Sequence, residues 1–220
     1  MKLPFLSLLL LAGVMTATAQ TTDLKLWNSY KLSADLSKRW SADLEQQLRF
    51  NNNITTFDFA LTELSVSYKI NKHFDVAGGL RYSYLENNPT ESVDSYDRLR
   101  WMADLKFDTD VFKTDLKFNL RLRYQESRDV TAGLSPDRYL RARCQLEYNL
   151  SKLVDPELSY ELYYKFGQPG ELRAHRISAG ASWRIIKKLY LDTSYIYQWE
   201  INVKNPDFEH IVSVGIKYKL

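Results

Sequence analysis

The sequence predicts an all-β protein, a single transmembrane antiparallel up-and-down β-barrel of about 10 to 12 strands. Three observations favour this fold. Apolar and polar residues alternate strictly over stretches of about 10 residues. Aromatic residues collect at the ends of these stretches, and the connections between them are alternately short and long.

The amino-terminal residues predict a secretory signal peptide. Lys2 gives a charged start, residues 3–14 form an almost unbroken apolar run, and Ala17-Thr18-Ala19 has the small-x-small pattern that signal peptidases cut. An apolar run of about a dozen residues is too short for a spanning helix, which needs roughly 20. We therefore expect a cleaved signal peptide at residues 1–19 and an outer-membrane β-barrel domain at residues 20–220.

The composition excludes several classes of protein. The formal net charge of +3, from 30 basic and 27 acidic residues, is too balanced to indicate nucleic-acid binding. The lone cysteine, Cys144, excludes an internal disulfide. The 15 Tyr, 10 Phe and 5 Trp residues suit strands and membrane interfaces.

Eleven stretches of the sequence alternate as β-strands do. In residues 112–124, for example, Phe118, Leu120 and Leu122 share one face, whereas the other face carries only charged and polar residues, namely Lys113, Asp115, Lys117, Asn119, Arg121 and Arg123. No stretch shows the periodicity of a helix. The predicted strands are Leu24–Leu36, Trp40–Phe50, Ala60–Ile70, Phe74–Tyr84, Leu99–Phe107, Phe112–Tyr124, Leu140–Tyr148, Leu158–Phe166, Ile177–Ile185, Leu189–Ile201 and His210–Leu220.

The connections predict two different rims. Tight turns are expected at residues 71–73, 108–110 and 186–188, and residues 149–156 form a longer connection where a tight turn is due. Long polar loops are expected at residues 86–95, 126–137, 167–172 and 202–207. In outer-membrane barrels the short turns face the periplasm.

Aromatic residues on the apolar face mark both rims. The aromatic girdle beside the short turns is predicted to comprise Tyr68, Phe74, Phe107, Phe112, Tyr148, Trp183 and Tyr218. The opposite girdle comprises Phe50, Tyr82, Tyr84, Tyr124, Tyr164, Phe166, Tyr197 and Trp199. Such bands are typical of the two interfaces between lipid and water.

The number of predicted strands conflicts with the expected fold. Bacterial single-chain barrels have an even number of strands, whereas the sequence shows eleven alternating stretches. Either one strand is miscounted or the amino-terminal segment is not part of the wall.

Alternation does not say which face points inward. A soluble periplasmic lipocalin-like binding barrel would put the apolar face inside, but such barrels have about eight strands. We expect the charged face inside. The lumen would then have a basic wall comprising Arg98, Arg100, Lys106, Lys113, Lys117, Arg121, Arg123, Arg141 and Arg143. An acidic wall would comprise Asp43, Glu45, Glu63, Asp192 and Glu200. Such walls either fill the interior with ion pairs or leave a pore with a transverse field.

Catalytic and metal-binding sites find little support. A lipid hydrolase needs a serine and a histidine on the same face, but His175 and Ser178 are three residues apart, as are His210 and Ser213. On a strand, such residues point to opposite faces unless a bulge intervenes. Three scattered histidines and Cys144 offer no metal-ligand spacing. We expect no catalytic residues, no metal and no cofactor.

Four segments resemble those of a known family. They are Trp27-Asn28-Ser29-Tyr30, residues 44–50 (LEQQLRF), Asp97-Arg98-Leu99-Arg100 and residues 119–124 (NLRLRY). Together they resemble an uncharacterised family of small outer-membrane β-barrels catalogued as a domain of unknown function. The resemblance implies an outer-membrane barrel and transfers no catalytic residue or ligand.

The sequence favours a non-enzymatic barrel that acts as a narrow pore or as a structural or surface-binding element with a charged lumen. A lipid-modifying hydrolase is the alternative, and a soluble binding barrel is a further one. The expected partners are outer-membrane lipids, the barrel-assembly machinery and small solutes, and not nucleic acid.

Overall fold

The computed structural model describes residues 22–85, 96–111, 114–130 and 136–220, which contain eleven β-strands. The strands are β1 (Thr22–Asp35), β2 (Trp40–Asn51), β3 (Thr56–Lys69), β4 (Phe74–Leu85), β5 (Tyr96–Asp110), β6 (Leu116–Asp129), β7 (Asp137–Tyr148), β8 (Val154–Lys165), β9 (Glu171–Ile186), β10 (Leu189–Glu200) and β11 (Phe208–Lys219). Within these ranges there is no helix long and apolar enough to cross a membrane.

The strands form a closed barrel in which each pairs with its neighbours in sequence. All of these sequential pairs are antiparallel, but β1 and β11 close the barrel in parallel, from Thr22 opposite Phe208 to Ser33 opposite Lys219. The prediction of a fully antiparallel barrel is therefore wrong at this seam. Strand direction alternates around the wall, so an odd number of strands makes the first and last run the same way. The amino-terminal strand is part of the wall.

Each predicted strand overlaps an observed one, but several ends differ. Residues 108–110 belong to β5 instead of forming a turn, and β6 begins at Leu116 instead of Phe112. The strands β6 and β9 also extend into the predicted loops at residues 126–137 and 167–172. The predicted loop at residues 86–95, as well as Phe112 and Lys113, lies outside the described residues.

The barrel has two distinct rims. The fully described connections at the short-turn rim are residues 36–39, 70–73, 149–153 and 187–188, and those at the long-loop rim are residues 52–55, 166–170 and 201–207. The chain enters β1 at the long-loop rim and leaves β11 at the short-turn rim, where the Leu220 amide donates to the Ser33 carbonyl at 2.8 Å.

The apolar face points outward. Leu44, Leu64 and Leu80 are 46%, 52% and 56% exposed, although they are large aliphatic side chains in the middle of strands. This arrangement is the reverse of what a soluble lipocalin-like barrel requires. An exterior of this kind suits contact with lipid.

Aromatic side chains lie at both rims of this outer face. Trp40 packs on Tyr68 with ring centroids 4.8 Å apart at the short-turn rim, and Phe74 packs on Phe107 at 5.1 Å. The predicted girdle residues Tyr148, Trp183 and Tyr218 are 40% to 43% exposed there. At the long-loop rim, Tyr124 packs on Phe166, Tyr164 packs on Phe166, and Tyr197 stacks on Trp199.

Candidate functional site in the barrel lumen

The interior of the barrel encloses polar space along its length. A cavity of about 820 Å³ is lined by inward-pointing side chains from all eleven strands, and a second of about 560 Å³ extends it toward the short-turn rim. The two cavities share part of their lining. The shared residues are Ser29, Gln145, Glu147, Glu157, Asp192, Ser194 and Ser213.

The structure places the described residues of the predicted basic wall inside the barrel. The larger cavity is lined by Arg98, Arg100, Lys106, Arg121, Arg123, Arg141 and Arg143, and Lys117 lines the second. Lys113 lies outside the described residues. The predicted acidic residues Asp43, Glu45, Glu63, Asp192 and Glu200 all line the larger cavity.

The charges pair mainly between neighbouring strands instead of across the lumen. Arg123 on β6 donates two hydrogen bonds of 2.7 Å to Asp104 on β5. Arg81 on β4 pairs in the same way with Glu63 on β3. Adjacent strands lie only about 4.8 Å apart, so inward side chains on neighbouring strands meet before they can reach the far wall. Local pairing is consistent with the two cavities inside the barrel.

Glu161 on β8 connects three arginines. Its side chain lies 2.8 Å from both Arg121 and Arg141 and 3.7 Å from Arg176, and the residue is only 3% exposed. These arginines come from β6, β7 and β9. The prediction from sequence did not include Glu161, because the arginines that a carboxylate meets depend on strand register, which alternation does not specify.

Four inward arginines form what we call the arginine cluster, defined as Arg49, Arg81, Arg100 and Arg176. Each lies within six residues of the strand end at the long-loop rim. In each of them Nε donates to a polar group of the wall. The acceptors are Gln47 at 2.6 Å, Glu63 at 2.7 Å, Ser127 at 2.7 Å and Gln198 at 3.0 Å, respectively. These bonds orient each guanidinium plane. A terminal nitrogen of Arg81 also donates to Glu63 and one of Arg176 to Gln198, whereas among the described residues the terminal nitrogens of Arg49 and Arg100 have no acceptor.

An apolar patch supports part of this cluster from inside the lumen. Trp27, Ile196 and Ile211 are 8%, 7% and 0% exposed and pack together. The Arg49 guanidinium lies 3.6 Å from the centre of the Trp27 ring, and the Arg176 guanidinium lies 5.2 Å from it. Sequence reasoning missed this patch. The available signal was the presence of large apolar residues at positions that alternation assigns to the polar face.

The serine and histidine pairs considered for catalysis are separated by the wall. Ser178 and Ser213 line the cavity, whereas His175 and His210 point outward. The ring of His175 stacks on Trp199 at 5.0 Å and is hydrogen-bonded to the Tyr160 hydroxyl. His210 is bonded in the same way to Tyr195.

The remaining candidates form no site. His73, at the short-turn rim, is bonded through Nδ1 to the Asp108 carbonyl at 2.9 Å. Cys144 is exposed on the outer face. Within the described ranges, no three His, Cys, Asp or Glu side chains are grouped so as to hold a metal ion.

Comparison with known proteins finds a family that matches this chain and solved structures that are similar to it. The family described as "Protein of unknown function (DUF2490)" matches residues 24–209. Among solved structures, a NanC porin is similar at 17% identity and a TM-score of 0.55, covering 90% of this chain and 99% of that chain. This similarity shows the fold alone.

Two further structures are similar at lower scores. OmpT of Vibrio cholerae has 11% identity and a TM-score of 0.42 over 73% of this chain and 54% of that chain. The translocator domain of the autotransporter NalP from Neisseria meningitidis has 12% identity and a TM-score of 0.45 over 86% and 77%. A search of curated proteins finds no match.

Proposed function

Because this chain belongs to the family described as "Protein of unknown function (DUF2490)", which brings no activity with it, we propose a function from the barrel itself: a narrow, anion-preferring pore in a bacterial outer membrane. The observation that carries the proposal is the pair of adjoining polar cavities that follow the barrel's length. A merely structural or surface-binding barrel does not need such space.

The arrangement of charge supports a preference for anions. Cationic and carboxylate side chains are nearly balanced over the lining of the larger cavity, so the preference there does not come from net charge. It comes from the arginine cluster near the long-loop rim, where Arg49 and Arg100 have no carboxylate within ion-pair distance among the described residues. Rings of like charge in a narrow passage attract counter-ions and repel ions of the same sign.

Planar-bilayer recording tests this function. The purified barrel is expected to give stepwise conductance, and a reversal potential of anion-selective sign in a KCl gradient. Arg49→Gln/Arg100→Gln should move that potential toward zero because it removes the unpaired charges. Arg39→Gln is the matched control, because Arg39 is exposed at the short-turn rim and bonds Tyr68 at 3.1 Å. An electrically silent protein, or a double variant with unchanged selectivity, contradicts the proposal.

We also propose that the chain reaches the outer membrane after a signal peptide is removed, and that barrel-assembly machinery inserts it. The exposed leucines and the aromatic bands support contact with membrane lipids. The predicted signal peptide lies outside the described residues. Amino-terminal sequencing of the protein from the membrane fraction should begin at Gln20.

The proposed function includes no catalytic step. The separation of Ser178 and Ser213 from the two outward histidines supports this, since a base must lie within hydrogen-bond reach of its nucleophile. The purified barrel should not hydrolyse phospholipid. Hydrolysis that His175→Ala or His210→Ala abolishes would restore the enzyme alternative.

A further inference from the structure

Hydrogen bonds hold the arginine cluster in place, but nearby carboxylates do not balance all of its positive charge. Arg49 is fixed by Gln47 through Nε and lies between the rings of Trp27 and Phe59, at 3.6 Å and 4.7 Å. Arg100 is fixed by Ser127 at 2.7 Å. Both anchoring groups are neutral. Among the described residues, neither guanidinium has a carboxylate within ion-pair distance that would neutralise its charge.

The surroundings do not supply enough negative charge. Arg49 is close enough to Arg81, Arg176 and Arg100 to be repelled by all three, and Arg100 is repelled by Arg81 and Arg141. Of the nearby carboxylates, Glu63 is paired with Arg81. Glu161 is shared by Arg121, Arg141 and Arg176. Asp58 attracts Arg49 from beyond ion-pair distance and also interacts with Lys25. Glu45, which accepts a hydrogen bond from Gln47 at 3.5 Å, is likewise shared with Lys31.

Uncompensated charge in a partly enclosed space is costly, so a bound counter-ion is expected there. A guanidinium fork matches the oxygens of phosphate and carboxylate, and two such forks suit an anion of two charges. A single chloride offers neither several acceptor atoms nor the second charge.

We propose that the arginine cluster is a binding site for a doubly charged oxyanion of the phosphate class, either inorganic phosphate or the phosphate group of a monoester. Arg49 and Arg100 provide the charge that the wall leaves unpaired, and Arg81 and Arg176 border the site. This inference rests on the proposed pore function. It names the class of solute that the arginine cluster binds inside that pore.

Titration calorimetry on the folded barrel in a nonionic detergent tests the site without requiring conduction. The probes are inorganic phosphate, glycerol phosphate and chloride, at constant ionic strength. Phosphate should bind, and Arg49→Gln/Arg100→Gln should weaken that binding at least about tenfold. Arg173→Gln should leave it unchanged, because Arg173 also lines the lumen but is paired with Glu171 and Glu200.

The monoester distinguishes the two sources of the phosphate group. Tighter binding of glycerol phosphate indicates a phosphorylated solute, whereas binding of inorganic phosphate alone indicates the free ion. If the double variant fails to fold, as judged by heat-modifiable electrophoretic mobility, Arg100→Lys decides instead. It keeps the charge but loses the fork, and weaker phosphate binding is expected.

The results of the two experiments distinguish the phosphate-binding site from the proposed pore function. Equal phosphate binding by wild type and folded Arg49→Gln/Arg100→Gln overturns the site even when the barrel conducts anions. Phosphate binding by a barrel that is silent in bilayers supports the site and overturns the pore. When both hold, added phosphate should reduce the chloride current of wild type more than that of the double variant.

Discussion

Glu161 forms ion pairs with three arginines of the lumen. Its carboxylate is almost fully buried and accepts from Arg121 and Arg141, each at 2.8 Å. Burying an ion pair is not necessarily stabilising, but removing one partner leaves the other charge buried and alone. Removing Glu161 is therefore expected to reduce the free energy of unfolding by more than the net contribution of its ion pairs.

We predict that Glu161→Gln destabilises the barrel by about 3–5 kcal/mol, since two buried guanidiniums lose their carboxylate. Urea unfolding in lipid vesicles measures this change. Asp137→Asn is the matched control. Asp137 pairs with Lys165 at 2.9 Å, but both side chains are about 40% exposed, and such pairs are worth about 0–1 kcal/mol. Equal effects of the two substitutions would contradict the assigned role of Glu161.

Individual residues show what alternation could and could not predict. It placed Arg100, Arg121 and Arg141 inside because each lies on the charged face of its strand. It missed the clustering of Arg49, Arg81 and Arg176, which come from three separate strands. The height of a residue in a barrel depends on strand register and tilt, and alternation specifies neither.

At the scale of single elements, β9 and β10 approach closely at Gly180. A side chain there would put Cβ 2.4 Å from the Thr193 carbonyl oxygen and 2.7 Å from Ser194 Cβ. The first of these atoms belongs to the backbone and cannot rotate away. Glycine is therefore needed to keep the two strands in this register.

Gly180→Ala should destabilise the barrel by about 1–3 kcal/mol through overpacking. Gly78→Ala is the control, because a Cβ at Gly78 meets no atom within 4 Å, and this change should be neutral or slightly stabilising. Both values come from the same urea unfolding experiment. A Gly180→Ala barrel as stable as the Gly78→Ala barrel would show that the strands separate without cost.

The strands and the seam differ in how far the sequence predicts them. Each strand repeats its apolar and polar pattern locally, so all eleven could be recognised without knowing their partners. The parallel pairing of β1 with β11 cannot be recognised from the sequence of either strand. Apolar and polar residues alternate in the same way whether the neighbouring strand is parallel or antiparallel. Because bacterial single-chain barrels usually have an even number of strands, the sequence predicted either a miscounted strand or an amino-terminal segment outside the barrel wall.

Engineered cysteines can test the parallel seam in a Cys144→Ser background. Asn28 lies opposite Val214 across the seam, whereas Leu24 lies opposite His210. Asn28→Cys/Val214→Cys should form a disulfide on oxidation, while Leu24→Cys/Val214→Cys should not, because its positions are four residues out of register. Non-reducing electrophoresis of the denatured chains detects the cross-link. Preferential cross-linking of the Leu24 pair would mean that the seam has a different register.

At the scale of the whole molecule, the structure combines a hydrophobic exterior with an interior whose charges are mostly satisfied by neighbours. The local pairs consume most of the carboxylates of the larger cavity. Near the long-loop rim, Arg49 and Arg100 have no carboxylate within ion-pair distance among the described residues. A solute entering from that side meets the arginine cluster before it reaches the second cavity next to the short turns.

This arrangement predicts that selectivity depends on salt. The Debye length is about 10 Å at 0.1 M salt and about 3 Å at 1 M. The field of the arginine cluster therefore crosses the lumen in dilute salt but is screened close to the guanidinium groups in concentrated salt. Reversal potentials, measured at a fixed concentration ratio and rising mean concentration, should show the preference for anions declining. A preference that stays constant would indicate that the pore sorts ions by size instead of by charge.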